Sequence, residues 1–255
     1  MTHGGRSPRR LLRLLGVAVA LVVAVCVAVF VWPRFSTALP GVPDGATQPD
    51  SRPGNTLLVS SPVEVAQARS QLGQLAVVDA PSLGADYRRA AFGDAWTDTD
   101  GNGCNQRDDV LLRDVVASAP HSVGRQGSCD HDVLSGTWVD PYSGASITLT
   151  DAKQPSQAES VQIDHIVALS VAWRYGARSW TAERRLQFAN DLRELVASGG
   201  GSNQSKGGSD AAQWQPIRPT QCGYAVRYVT VKAAYALPTD AAEKQALVRM
   251  LATCP

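Results

Sequence analysis

The chain has 255 residues, enough for one or two domains, and a formal net charge of +1. All 23 acidic residues lie beyond residue 36 but 5 of the 24 basic residues lie before it, so the part beyond residue 36 has 19 basic against 23 acidic residues, a net charge of −4. This balance excludes the strongly basic surface of a protein that holds long nucleic acid tightly.

An almost unbroken apolar run covers the 19 residues from 14 to 32 and follows Arg6, Arg9, Arg10 and Arg13. A helix of that length spans about 28 Å, close to the hydrocarbon thickness of a bilayer. The arginines before the run predict a cytoplasmic N-terminus with the rest of the chain outside. The competing interpretation is a cleavable signal peptide, whose apolar region is usually shorter, about 7–15 residues. We therefore expect residues 1–36 to be a cytoplasmic tail and a single-pass anchor in the cytoplasmic membrane.

Residues 37–62 are rich in Pro, Gly, Ser and Thr and show no apolar period, which predicts a flexible linker. Residues 63–255 are enough for one well-buried core. Apolar periodicity and capping residues predict an α+β domain with helices at 63–75, 108–117, 169–175, 181–189, 224–235 and 240–251, and strands at 137–139, 147–150, 161–163 and 192–196. The last helix is expected to begin with a capping box made by Asp240 and Glu243.

Four of the five cysteines lie beyond the apolar run: Cys104, Cys129, Cys222 and Cys254. An even number of cysteines outside a cytoplasm favours two structural disulfides. The sequence contains no Cys-x-x-Cys pair, so it does not predict a structural zinc site. Four cysteines allow three pairings, of which proximity in sequence favours Cys104–Cys129 and Cys222–Cys254.

The stretch that decides the functional interpretation is an apolar strand ending in Asp164 and His165, followed by Asn190 and then by Asn203 and Lys206. A carboxylate can hold a hard cation, and an adjacent imidazole can take a proton from water. These are the minimum requirements for metal-assisted hydrolysis of a phosphodiester. The combined order resembles the HNH, or ββα-metal, nucleases.

The resemblance covers about residues 63–255. This part of the chain is similar to an actinobacterial family of secreted and membrane-anchored HNH proteins. That family shares its domain with the C-terminal half of certain modification-dependent restriction enzymes. The segments that carry it are Trp96–Cys104 with Arg107 and Leu112–Asp114, Gly136–Tyr142, Asp164–Leu169, Ala172-Trp173, Phe188–Asp191, Asn203, Lys206-Gly207, Trp214–Pro216 and Cys222–Tyr224.

The resemblance implies a ββα-metal core (HNH, or His-Me finger) with surrounding helices and one divalent cation, Mg²⁺ or Mn²⁺. Asp164 and Asn203 would bind the metal, with Asn203 opening the helix, and His165 would be the general base. Asn190 would tie the loop and orient the histidine, and Lys206 would meet the charge of the phosphate. The chain departs from the pattern of this family at two places. Ala168 stands where the family usually has proline, and the segment before Asn203 is unusually rich in glycine.

Asp98, Asp100 and Asn102, with Asp109 at the twelfth position, also resemble an EF-hand-like calcium loop. Position 12 carries Asp instead of Glu. The alternative is an ordinary acidic turn, so a structural Ca²⁺ stays open at this point.

The sequence thus predicts an endonuclease that hydrolyses nucleic acid, most simply DNA, outside the cytoplasmic membrane. Contact with nucleic acid is expected to be transient and without sequence specificity, and no obligate protein partner is evident. The alternative is a catalytically silent extracellular binding or envelope module that keeps the fold, stabilised by Ca²⁺.

Overall fold

The computed structural model describes Met1, residues 60–79 and residues 81–255. The predicted cytoplasmic tail (apart from Met1), the predicted membrane anchor and nearly all of the predicted linker lie outside these residues. None of the helices in the described part is both long enough and apolar enough to cross a bilayer.

The fold is mixed α/β. The α-helices are α1 (Pro62–Gln74), α2 (Gln106–Asp114), α3 (Pro155–Ala158), α4 (Leu169–Arg174), α5 (Ala182–Ala189), α6 (Gly200–Lys206), α7 (Gln221–Ala234) and α8 (Ala241–Leu251). The strands are β1 (Ser122–Gln126), β2 (Cys129–Val139), β3 (Ser146–Leu149), β4 (Val161–His165) and β5 (Leu195–Gly199). Short 3-10 helices cover Arg89–Phe92, Ala177–Ser179 and Arg218–Thr220.

Local capping explains where several helices begin. Ser61 Oγ accepts the Glu64 N–H, and Glu64 Oε2 accepts the Ser61 N–H, which closes a capping box at α1. Thr181 caps α5, as its place before the helical pattern predicts. Asp240 caps α8 by accepting the Glu243 N–H, but the predicted capping box does not form there. The Glu243 carboxylate turns inward instead and contacts Tyr228, Lys232 and Thr239.

An antiparallel sheet has the strand order β1-β2-β3. The predicted strands at 137–139 and 147–150 correspond to the end of β2 and to β3, with Trp138 opposite Ile147. Strand β1 was not predicted, because Ser122-Val123-Gly124-Arg125-Gln126 shows no alternation and is exposed at four of its five positions. It forms because β2 extends back to Cys129 and offers a long edge for pairing.

A second, two-stranded ribbon carries the predicted site. Strands β4 and β5 pair antiparallel, with Asp164 opposite Val196 and His165 opposite Leu195. The strand predicted at 192–196 begins three residues later in the structure. The Asp191 carboxylate accepts the backbone N–H of Arg193, and the Glu194 N–H bonds to Asp191 O, so this segment forms a turn before the strand starts.

Helix α6 follows β5 without a loop, so the ribbon and helix form a ββα unit. The helix begins at Gly200, with Gly199 as its N-cap, and Asn203 lies inside it. The expectation that Asn203 opens the helix is therefore wrong. A glycine is required at position 200, since a Cβ there would lie 2.4 Å from Glu159 O. The glycines form the strand end and the first helical turn, not a loop.

The ribbon separates two hydrophobic clusters. Val196 belongs to a larger cluster with residues of α1, α4, α5, α7 and α8. Ile163, Leu195 and Ala197 belong to a smaller cluster with residues of α2, β2 and β3. Because successive strand residues face opposite sides, Asp164 shares the face of its partner Val196, and His165 that of Leu195.

Two disulfides join Cys104 to Cys129 and Cys222 to Cys254, the pairs that sequence proximity favours. The first ties the loop before α2 to the start of β2. The second ties the start of α7 to the segment after α8.

Candidate functional site

Asp164 lies near the end of β4 and is only 6% exposed. Its Oδ2 accepts a hydrogen bond from the Tyr142 hydroxyl at 2.5 Å and lies 3.0 Å from Lys206 Nζ. Asp164 is thus a carboxylate whose charge is balanced by a buried ammonium group.

Lys206 is the last residue of α6, and its side chain has no exposed surface. Besides the ion pair, its Nζ donates to the backbone oxygen of His165 at 2.7 Å. The structure therefore places Lys206 beneath the end of β4, where it holds Asp164 and the His165 backbone. A phosphate cannot reach Nζ in this arrangement, which departs from the role that the resemblance implied.

His165 is buried, and its Nε2 lies 3.0 Å from the backbone oxygen of Ala189. A carbonyl oxygen only accepts, so Nε2 carries the proton and Nδ1 has the lone pair. Nδ1 has no hydrogen bond with any described residue. Burial lowers the pKa of His165 to about 4; the Asp164 carboxylate opposes this effect, and the charges of Arg89 and Lys206 add to it. The ring is therefore neutral at pH 7.

His165 lines a small cavity of about 30 Å³, large enough for a water molecule. The lining residues that carry polar or charged side chains are His165, Asn190, Arg89 and Asp94, and Phe92, Gly93, Ala95, Trp96, Leu169 and Ala189 complete the wall. A water in this cavity would lie beside a neutral imidazole.

Asn190 is 1% exposed and ends α5. Its Nδ2 donates to Leu186 O at 3.0 Å, whereas its Oδ1 is buried without a hydrogen-bond partner in the described residues. Its side chain makes no hydrogen bond to His165; the backbone oxygen of the preceding residue, Ala189, orients the ring. In the structure the neighbouring backbone, and not the Asn190 side chain, contacts the His165 ring. Asn190 itself lines the cavity and has an unpaired acceptor oxygen.

Asn203 lies on the face of α6 that packs against β4. Its Nδ2 donates to Gln162 Oε1 at 2.8 Å, while Lys206, three residues on, contacts Asp164. Gln162 and Asp164 are two residues apart and share one face of β4. The helix therefore runs along the strand and brings Asn203 and Asp164 to the same side of the ribbon.

The remaining oxygens on this side are suited to a divalent ion. Both side-chain contacts of Asp164 use Oδ2, and the side-chain bond of Asn203 uses Nδ2. Asp164 Oδ1 and Asn203 Oδ1 accept no hydrogen bond from the described part of the chain. A carboxylate oxygen and an amide oxygen are hard donors of the kind that Mg²⁺ and Mn²⁺ prefer, so these residues fit the predicted ion.

Three residues near the site carried no prediction of a role. Tyr142 donates to Asp164, and Glu194 is fully buried and accepts the Val167 N–H through both oxygens. Burial raises the pKa of Glu194 well above its usual range. Arg89 lines the His165 cavity. Tyr142 falls in a segment that carries the resemblance, but nothing in the sequence marks Arg89, which lies in an ordinary 3-10 turn.

The residues of the candidate calcium loop lie together. Asp98 accepts the backbone N–H groups of Gly101 and Gly103 at 2.7 and 2.9 Å. Asn102 Nδ2 lies 3.3 Å from Asp100 Oδ2 and 3.0 Å from Asp109 Oδ1. Burial raises the pKa of Asp100, and the nearby carboxylates of Asp98 and Asp109 raise it further. The Asn102 amide thus bridges the Asp100 and Asp109 carboxylates, while Asp98 binds the backbone of the same loop.

Another close group, Cys104, Cys129 and His131, is not a metal site, because both sulfurs are in the disulfide.

Residues 105–250 match the family described as GmrSD restriction endonucleases, C-terminal domain, which is more than half of the chain. The chain belongs to this family. Asp164, His165, Asn190, Asn203 and Lys206 all lie within the GmrSD C-terminal match, whereas Arg89, Trp96 and the first half of the acidic loop precede it. Membership in a restriction endonuclease family suggests nuclease activity.

A relative from Arthroderma benhamiae named "Uncharacterized secreted protein" is 41% identical over 154 residues, which cover 59% of this chain and 68% of that protein. No solved structure matches the chain. The recognition of a restriction-enzyme domain is thus confirmed at the level of the GmrSD C-terminal family, while an actinobacterial origin and a membrane anchor stay predictions.

Proposed function

We propose that this protein is an HNH-type, metal-dependent endonuclease that hydrolyses phosphodiester bonds of DNA outside the cytoplasmic membrane. The observation that carries the proposal is the state of His165. It is a neutral imidazole with an unshared lone pair, it borders a water-sized cavity, and it is adjacent in sequence to Asp164.

His165 Nδ1 takes the proton of the attacking water. The Ala189 carbonyl holds the other nitrogen, so the ring stays oriented when the imidazolium forms. The Asp164 carboxylate stabilises that cation, since its charge raises the pKa of His165 against the effect of burial. The low pKa keeps the ring unprotonated at neutral pH, the state in which it can accept a proton.

Positive charge near the phosphate would come from the side of the ribbon that carries Asp164 and Asn203, and from Arg89. Asp164 and Asn203 would hold a divalent cation, which neutralises developing charge on the phosphate and acidifies a bound water. Tyr142 and Lys206 hold the Asp164 carboxylate in place from beneath. Arg89 is exposed at the His165 cavity and offers a guanidinium to the phosphate.

The charge of the chain supports transient contact with DNA. Residues 37–255 carry 19 basic and 23 acidic residues, so long-range attraction to a polyanion is weak. The local cation at Arg89 and the divalent ion must provide the attraction, which favours non-specific cleavage.

Two disulfides support a location outside the cytoplasm, and the name of the Arthroderma relative agrees with it. We propose that residues 1–36 anchor the protein, residues 37–62 form a linker and residues 63–255 form the nuclease domain. Protease treatment of intact cells tests the topology: the domain should be digested while a cytoplasmic control protein survives.

A plasmid-nicking assay of the purified protein with Mg²⁺, with Mn²⁺ and with EDTA tests the activity. We expect relaxed and linear DNA with either ion and intact supercoiled plasmid with EDTA. Intact plasmid in all three conditions would favour a catalytically silent module. Single-stranded DNA and RNA substrates in parallel reactions would establish the preferred nucleic acid.

A further inference from the structure

We propose that the loop from Asp98 to Asp109 binds one Ca²⁺ ion through Asp98, Asp100, Asn102 and Asp109, separate from the ion of the proposed nuclease site. These oxygen-bearing side chains lie together at the start of α2. Carboxylate and amide oxygens are the ligands that Ca²⁺ takes in flexible loops.

Asp109 is the strongest indication of a ligand. Its side chain is only 8% exposed, and its Oδ2 is buried with no hydrogen-bond partner in the described residues. Its Oδ1 accepts hydrogen bonds from Asn102 Nδ2 and from His131 Nε2, and the Asn102 amide also contacts Asp100, so the Asp109 carboxylate adjoins the loop. A buried carboxylate oxygen without a partner is costly, and a cation would remove that cost.

Among the described residues, a histidine supplies the counter-charge that contacts the loop carboxylates. His131 contacts Asp109 Oδ1, and its other ring nitrogen contacts Asp130. Within the described residues, no lysine or arginine forms an ion pair with Asp98, Asp100 or Asp109. In the present arrangement the Asn102 NH₂ group bridges the Asp100 and Asp109 carboxylates, and Asn102 Oδ1 accepts the Cys104 N–H. Binding of Ca²⁺ would require this amide to turn its oxygen toward the ion.

The backbone agrees with a calcium loop. Gly103 is the sixth position counted from Asp98 and has φ +93°, as the sharp turn of such a loop requires. Helix α2 begins at Gln106 and carries Asp109 in its first turn. The Cys104–Cys129 disulfide fixes the middle of the loop, which lowers the entropy lost on binding.

An ion at this place would stabilise the nuclease domain from outside the catalytic ribbon. Helix α2 ends in Arg113 and Asp114, which bond to Leu195 O and to the Ala197 N–H of β5. Trp96, two residues before Asp98, lines the His165 cavity. Calcium would therefore stabilise both helix α2, which supports β5, and the position of Trp96 in the wall of the cavity.

The test is the thermal unfolding of the full chain after removal of metal with EDTA, followed by addition of about 10 mM CaCl₂ or MgCl₂. For a site with Kd of about 0.1 mM, as in extracellular calcium modules, Ca²⁺ should raise Tm by about 5 °C and Mg²⁺ by less. Asp98→Asn and Asp100→Asn should lose this shift.

Two controls separate the site from its alternatives. Asp151→Asn, which changes an exposed acidic turn elsewhere, and Asn203→Ala, which changes the proposed nuclease ion site, should keep the full calcium shift. An equal shift in all variants, no shift in the parent protein, or a loss confined to Asn203→Ala would each overturn the proposal.

If the loop variants do not fold, titration of the parent protein with Tb³⁺ decides. Emission sensitised by tryptophan, displaced by Ca²⁺, weakened in Trp96→Phe and retained in Asn203→Ala supports the site. Emission that Trp96→Phe leaves unchanged places the ion elsewhere and refutes it.

Discussion

Lys206 and Asp164 form a buried ion pair, with 3.0 Å between Nζ and Oδ2, that joins the last turn of α6 to the end of β4. Both side chains are at most 8% exposed, so neither charge can be solvated if its partner is removed. The ββα unit is therefore held together at the point where the chemistry is proposed.

Lys206→Met should destabilise the fold by about 3–5 kcal/mol, because it leaves the Asp164 carboxylate buried without its partner. Urea unfolding measures this loss. Arg178→Met is the control, since Arg178 pairs with Asp86 at the surface with side chains 49% and 55% exposed, and should cost about 0–1 kcal/mol. A stable Lys206→Met protein with reduced DNA affinity would instead indicate direct phosphate contact.

His165→Ala should lower the rate of plasmid cleavage by about 10²–10⁴-fold, because it removes the group that accepts the proton of water. The dependence of residual activity on Mg²⁺ should stay nearly unchanged, since the proposed metal ligands remain. His121→Ala is the control, because His121 is exposed and contacts only Ala119 O among the described residues. Cleavage by His165→Ala at the parent rate would mean that the base lies elsewhere.

The stability of the parent protein should fall as pH decreases from 6.5 to about 4. The pKa of His165 is lowered from 6.5 to about 4 in the folded state. Between these two pH values His165 is largely protonated in the unfolded chain and largely neutral in the folded chain, so lowering the pH favours unfolding. The contribution is fully present above pH 6.5 and amounts to about 3 kcal/mol at its limit. Urea unfolding against pH should show a shallower slope in His165→Gln than in the parent; equal slopes would contradict the buried neutral ring.

Asn203→Ala should raise the Mg²⁺ concentration needed for half-maximal cleavage by at least about tenfold, because it removes one of two proposed ligands. Stability should change little, since the side chain is half-buried and makes one neutral hydrogen bond, to Gln162. Gln204→Ala, at the exposed next position of α6, should leave the Mg²⁺ requirement unaltered. An unchanged requirement in Asn203→Ala would remove Asn203 from the ion site.

Local signals in the sequence predicted much of this fold. The strand before Asp164, the cap at Thr181 and the pattern after Asp240 are local effects, and the structure has a strand, a helix and a helix at those places. Strand β1 was missed because its pairing depends on β2, not on its own residues. The turn at Asp191 depends on a side-chain bond to the Arg193 N–H, and the early start of α6 on the close approach of Gly200 to Glu159 O. A short apolar run reveals neither contact.

The site residues were recognisable as a set, but their surroundings were not. Sequence order indicates that Asp164, His165 and Lys206 act together. It cannot indicate that Lys206 lies beneath the strand, because that depends on how α6 packs against β4. Arg89 reaches the cavity of His165 from a position 76 residues earlier, across a contact that no local pattern encodes.

Because the β4–β5 ribbon lies between two hydrophobic clusters and its side chains alternate, the strand positions of Asp164 and His165 face different parts of the core. The cavity beside His165 is also lined by Phe92, Leu169 and Ala189 of the larger cluster. A cavity made beside Val196 is therefore expected to loosen both side chains, whereas one made beside Leu195 should loosen chiefly the imidazole. Core substitutions distant from the DNA should thus alter metal affinity and proton transfer to different extents.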